Sequence, residues 1–187
     1  MNATITSTAH YVPEKVLTNS DLEKLVDTSD EWIKSRVGIN QRHVVSDGEA
    51  SSDMSTKVAH SLLEKRGISA ANIDVIIIGT VTPDHPTPST AAIVQNNINA
   101  ENAWAFDLSA ACSGFLYALE TGAKFIESGQ YKTIMVIGVD TMTSILDFED
   151  RETCIIFGDG AGGVILEASK SNTGILGSVL KLSLIHI

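Results

Sequence analysis

The chain turns on one stretch, Trp104-Ala-Phe-Asp-Leu-Ser-Ala-Ala-Cys-Ser-Gly-Phe-Leu-Tyr-Ala-Leu-Glu-Thr-Gly-Ala-Lys-Phe-Ile-Glu-Ser-Gly129. Its short apolar run, Trp104 to Leu108, reads as a buried strand. The small residues Ser109, Ala110 and Ala111 follow, then Cys112, then a long apolar segment ended by Gly129, a residue suited to terminate a helix. Strand, tight turn, Cys and helix in that order set a thiol at the top of a sheet and at a helix N-terminus. Unpaired backbone N–H groups and partial positive charge there favour a thiolate over a thiol. The small neighbours leave room for a substrate carbonyl. A buried structural Cys fits an apolar stretch equally well, so the residues alone leave both readings open. From Phe115 to Phe125 the helix is apolar nearly all round, with Glu120 and Lys124 as its charged interruptions. Such a helix needs a packed layer on either side.

Working outward, buried strands alternate with amphipathic helices. Ala3 to Thr8 reads as a first strand, and Tyr11-Val12-Pro13 turns the chain. Thr18 or Asn19 caps a short helix through Val26. Thr28 and Glu31 fit a capping box, with Thr28 as N-cap. The helix it opens carries Trp32 and Arg36 on one face and ends at Gly38. Ser52 to Arg66 is an amphipathic helix closed by Gly67, and Asp74 to Gly79 a fully buried strand. The Pro-rich loop Thr80 to Pro88 holds His85, and Ser89 caps the next helix. Thr133 to Val139 is another buried strand. The glycines of Phe157-Gly-Asp-Gly-Ala-Gly-Gly163 follow neither dinucleotide nor Walker spacing, so they predict close backbone packing and a tight hairpin. This alternation predicts an α/β fold: about five strands in one mixed sheet, with helices on both faces.

The chain has 187 residues, 43% of them hydrophobic, and a net charge of −10 with no basic block. Nucleic-acid binding is not expected. Two cysteines without framework spacing point to a reducing compartment, and Cys154, in Thr-Cys-Ile-Ile-Phe, reads as core. No zinc spacing and no apolar run of membrane-spanning length is present. No signal peptide is read at the N-terminus, so a cytoplasmic protein without a metal is the expectation.

Asp107-Leu-Ser-Ala-Ala-Cys-Ser-Gly-Phe-Leu-Tyr117 resembles the nucleophile segment of the β-ketoacyl-acyl carrier protein synthase III family, within the thiolase-like superfamily. Thr28-Ser-Asp-Glu-Trp-Ile33 with Arg36-Val-Gly-Ile39 resembles the family segment that binds coenzyme A and the pantetheine arm of the carrier protein. Phe157-Gly-Asp-Gly-Ala-Gly162 is similar to a segment near the active-site floor. Val37, where the family usually has Thr, and the region of His10 depart mildly.

The resemblance implies the N-terminal half of a thiolase-like fold over 1–180. Cys112 is then the nucleophile, and Thr28, Trp32, Arg36 and Arg151 contact the CoA or pantetheine, with Arg151 packing beside the Trp against the adenine. It implies condensation of acyl-CoA with malonyl-acyl carrier protein through a Cys thioester, with no cofactor, in a protein that is a homodimer when complete. A related condensing activity, such as alkylquinolone or polyketide priming, and a non-catalytic acyl-binding module are the alternatives. The family's His and Asn belong to a second half, so 1–187 alone is expected to be inactive and to leave apolar side chains of the 113–127 helix open to solvent. Residues 181–187 do not continue the family pattern. Leu182-Ser-Leu-Ile-His-Ile187 matches a translated sequencing-adapter end and is read as a non-native tail.

Overall fold

A computed structural model describes residues 2–169, 171 and 173–181; the tail assignment thus falls, except at Lys181, outside the described residues. In chain order the elements are β1 (Asn2–Tyr11), β2 (Lys15–Thr18), α1 (Asn19–Leu22), α2 (Asp30–Val37), β3 (Gln41–Val44), α3 (Ser51–Arg66) and β4 (Val75–Gly79). Then come α4 (Thr90–Asn97), β5 (Trp104–Leu108), α5 (Gly114–Glu127), β6 (Thr133–Thr141), α6 (Arg151–Cys154) and β7 (Asp159–Ser169). Local chemistry places many of the boundaries. Ser29 and Ser89 accept hydrogen bonds from the first turns of α2 and α4. Gly38 and Gly67 take the left-handed conformation that ends α2 and α3, where a Cβ would be strained.

Five strands form one mixed sheet in the order β1-β7-β6-β4-β5. β4 lies parallel to both β5 and β6, and β7 runs antiparallel to β6 and β1. Side chains alternate along the central strands. Ile76 and Ile78 of β4 join Met54, Val58 and Leu62 of α3 and Val94 of α4 in one core. Val75 and Ile77 join Ala118, Ala123 and Ile126 of α5 in the other. Helices thus cover both faces, and each fully buried Ile contributes about 2 kcal/mol. A third cluster, Leu22, Ile33, Cys154 and Ile155, ties α1 and α2 to the C-terminal end of α6.

Several expectations are corrected. β5 is an edge strand, not a buried one: among the described residues it pairs only with β4, and Trp104 stays 42% exposed, stacked on Phe106. The N-cap of α2 is Ser29, whose Oγ accepts from the Trp32 amide, because Ser29 rather than Thr28 adopts the cap position; the Thr28 hydroxyl is buried with no partner among the described residues. The glycine run makes no tight hairpin. It lies largely in β7, where bare backbone is needed: a Cβ on Gly163 would stand 2.8 Å from the Val136 carbonyl. β6 and β7 do pair antiparallel, but 17 residues separate Thr141 from Asp159. β2 and β3 form a second, two-stranded sheet with no counterpart among the expected elements. The expected open face of α5 is met only in part, since Phe115, Tyr117 and Phe125 are half-buried. Small residues, Gly114, Ala118, Gly122 and Ala123, face the sheet, while Leu116 is 54% exposed.

Candidate active site

The chain leaves β4, crosses through α4 to β5 on one side, then crosses back through α5 to β6 on the other. The direction of winding therefore reverses at the carboxyl end of β4. Open α/β sheets bind ligands at such a point, because the loops diverge and leave a crevice. A cleft of about 710 Å3 occupies this position. Its floor is glycine backbone at the ends of β4, β6 and β7, and its walls include Val81, Cys112, Phe115, Asp140, Met142 and Phe157.

Cys112 sits in a 3-10 turn, Ala111–Ser113, between β5 and α5. Ala111 has φ +45°, a conformation that costs a non-glycine residue about 1 kcal/mol or more. The turn brings the Cys112 side chain out at the start of α5, and Cys112 is exposed. α5 can approach because both contact residues are glycine: a Cβ on Gly79 would lie 2.8 Å from the Gly114 carbonyl carbon. The packing of β4 on α5 therefore fixes where the sulfur stands.

Two carboxylates that the sequence reading passed over hold the rim. Asp140 Oδ1 accepts from the Thr80 and Thr82 hydroxyls and from the Val81 and Thr82 amides, at 2.8–3.2 Å. Asp159, 6% exposed, accepts from the Val45 and Thr143 amides at 2.8 Å each and from the Thr143 hydroxyl. The available signal was an acid at the very end of an apolar strand, where only a hydrogen-bonding duty explains it.

The predicted platform residues come together. The Arg151 guanidinium carbon lies 4.5 Å, and that of Arg36 5.9 Å, from the Trp32 ring centroid. Arg36 and Arg151 are exposed and Trp32 is half-buried, so a flat anionic group can reach both cations. Arg151 opens α6, and the same segment runs on to Phe157 and Gly158 in the cleft wall. One segment thus serves both places. Cys154 is buried; burial, with Asp150 nearby, pushes its thiol above the ordinary value. His85 is exposed in its loop. Among the described residues no group of three or more His, Cys, Asp or Glu side chains is placed to hold a metal ion, and no helix is long and apolar enough to cross a membrane.

A turn bearing an exposed cysteine at the switch point of this mixed sheet matches the thiolase-like condensing fold. Residues 106–183 match the family model described as 3-oxoacyl-[acyl-carrier-protein] synthase III. The chain is 62% identical over 170 residues to the β-ketoacyl-[acyl-carrier-protein] synthase III of Chlorobaculum tepidum, covering 90% of this chain and 52% of that relative. It is 57% identical over 167 residues to the enzyme of the same name from Streptococcus sanguinis, 89% of this chain and 51% of the relative. The solved 3-oxoacyl-[acyl-carrier-protein] synthase III of Aquifex aeolicus superposes with a TM-score of 0.88 at 46% identity, over 91% of this chain and 55% of that one. The priming β-ketosynthase of the R1128 polyketide pathway also superposes at 0.88, with 32% identity over 90% and 51% of the two chains. Over about nine tenths of its length the chain is similar to β-ketoacyl-acyl carrier protein synthase III enzymes, and it spans about half the length of the curated relatives it matches.

Proposed function

We propose that this chain is the nucleophile-bearing half of an acyltransferase that begins fatty-acid synthesis, joining an acyl group from acyl-CoA, acetyl-CoA in the simplest case, to malonyl-acyl carrier protein. The observation that supports it best is the exposed Cys112 on the strained turn at the start of α5, facing the cleft. Its sulfur attacks the thioester carbonyl, the bond from the acyl carbon to the CoA sulfur breaks, and CoA leaves as the thiol with the proton that Cys112 gave up. Covalent capture divides one hard transfer into two easier ones. The Cys112 amide contributes half of an oxyanion hole. Trp32, Arg36 and Arg151 hold the nucleotide end, and Thr28 is read as a further contact of the CoA or pantetheine. A His and an Asn from a further half of the protein assist decarboxylation of the malonyl group, which releases CO2; the resulting carbanion attacks the acyl-Cys112 carbonyl, the acyl–sulfur bond breaks, and Cys112 leaves as the thiolate with the 3-oxoacyl-carrier product. A homodimeric, cofactor-independent, cytoplasmic enzyme belongs to the same reading. The R1128 neighbour supports one alternative, priming of a polyketide.

The test is turnover by the complete protein with acetyl-CoA and malonyl-acyl carrier protein. CO2 and 3-oxobutyryl-carrier are expected, and both vanish in Cys112→Ser. CoA binding without turnover marks a binding module. Strong preference for a longer or branched starter marks the priming reading.

A further inference from the structure

Arg42 of β3 is only 5% exposed, and among the described residues no carboxylate forms an ion pair with it. Burying an unpaired cation is costly unless neutral oxygens receive its protons. Here they do. Nη2 donates to the Ile155 carbonyl at 2.8 Å, and Nη1 to Asn19 Oδ1 at 2.9 Å and the Leu17 carbonyl at 3.3 Å. Asn19, 1% exposed, passes the connection on: its Nδ2 donates to Asp30 Oδ1 at 2.9 Å and to the Ile39 carbonyl at 2.8 Å. The two ends of this chain are informative. Ile155 is the C-cap of α6, which Arg151 opens. Asp30 opens α2, which carries Trp32 and Arg36. Arg42 also packs against the cleft wall, where a Cβ on Gly158 would stand 2.8 Å from Arg42 Cβ.

An apolar residue could fill this volume, often at equal or better stability. A guanidinium fork adds direction, because its planar donors fix two acceptors at once. We propose that Arg42 and Asn19 form an internal relay that sets the position of Arg151 over Trp32, which makes Arg42 a positioning residue for the nucleotide end of acyl-CoA. The inference rests on the CoA reading given above. Lysine keeps the charge but, as a single point donor, does not reproduce the fork.

The experiment is a double-mutant cycle on the complete protein, read by isothermal titration calorimetry of CoA binding. Arg42→Lys is expected to weaken CoA binding about fivefold or more when Arg151 is present, the loss expected of a charge-assisted hydrogen bond. With Arg151→Ala in place the same change is expected to cost less than about twofold, because coupled residues are not additive. An equal effect in both backgrounds, or none in either, overturns the relay and leaves the CoA reading intact. Failure of the parent protein to bind CoA overturns both. Should Arg42→Lys not fold, Asn19→Ser goes through the same cycle and is judged by the same outcomes.

Discussion

The guanidinium carbon of Arg151 stands 4.5 Å from the centroid of the Trp32 ring, closer than that of Arg36, which shares a helix with the Trp at 5.9 Å. The cation supplied by the distant segment is therefore the better placed of the two to stack with a bound flat group, since cation–π attraction fades by about 6 Å. Trp32→Ala and Arg151→Ala should each raise KM for acyl-CoA about tenfold, with Arg36→Ala having a smaller effect, and kcat should change little because these groups hold the non-reacting end. Steady-state kinetics on the complete protein checks the ranking. A fall in kcat at unchanged KM counts against the platform.

Gly79 and Gly114 meet backbone to backbone, so neither partner can rotate out of the way. Gly79→Ala should push α5 off β4, lower stability by about 1–3 kcal/mol and displace Cys112, slowing its acylation more than it weakens CoA binding. Thermal melts and acylation rates test this together. An alanine variant with wild-type acylation would show that the close approach does not place the sulfur.

Glu49 supplies a pH dependence. Burial pushes its carboxyl up, but hydrogen bonds from Lys57, Tyr11 and the Ser46 amide outweigh this and hold it below the ordinary glutamate value. A lowered folded-state pKa adds stability above the unfolded value, about 4.3, and that stability is lost as pH falls through the folded value. Lys57, raised by the same partners, stays charged throughout this range. Its side chain is 49% exposed, so the pair is worth at most about 1 kcal/mol. Glu49→Gln should therefore lower Tm by about 2–4 °C at pH 7, and the difference should shrink below pH 4. A difference that grows on acidification would contradict the sign.

Much of this was legible from local chemistry. Gly38, Gly67 and Ser89 mark helix ends because each acts on its own turn. The sheet strands stood out because β4 and β6 are apolar runs buried on both faces. What depended on distant partners was harder to read. Trp104 reads as buried until β5 proves to have one neighbour, and the glycines of β7 read as a turn until Val136 is seen against Gly163. The cap fell on Ser29 because adjacent hydroxyls compete within one residue. At the site, the turn carrying Cys112 and the shared Trp32–Arg36 face could be read from spacing, whereas the roles of these residues, and matching Arg151 to them, needed the family resemblance. The partners of Asp140, Asp159 and Arg42 could not be read, since the fold brings them from distant segments; for the two acids the position at a strand end was the one hint.

The most direct measurement is to locate the acyl group itself. The complete protein is incubated with acetyl-CoA without the malonyl substrate, digested, and mapped by mass spectrometry. Exposed Cys112 should carry one acetyl group, and Cys154→Ser should acylate normally, because buried Cys154 has its thiol pushed up and out of reach. Acetylation at Cys154, or an unmodified Cys112 in a protein that binds acetyl-CoA, would contradict the account.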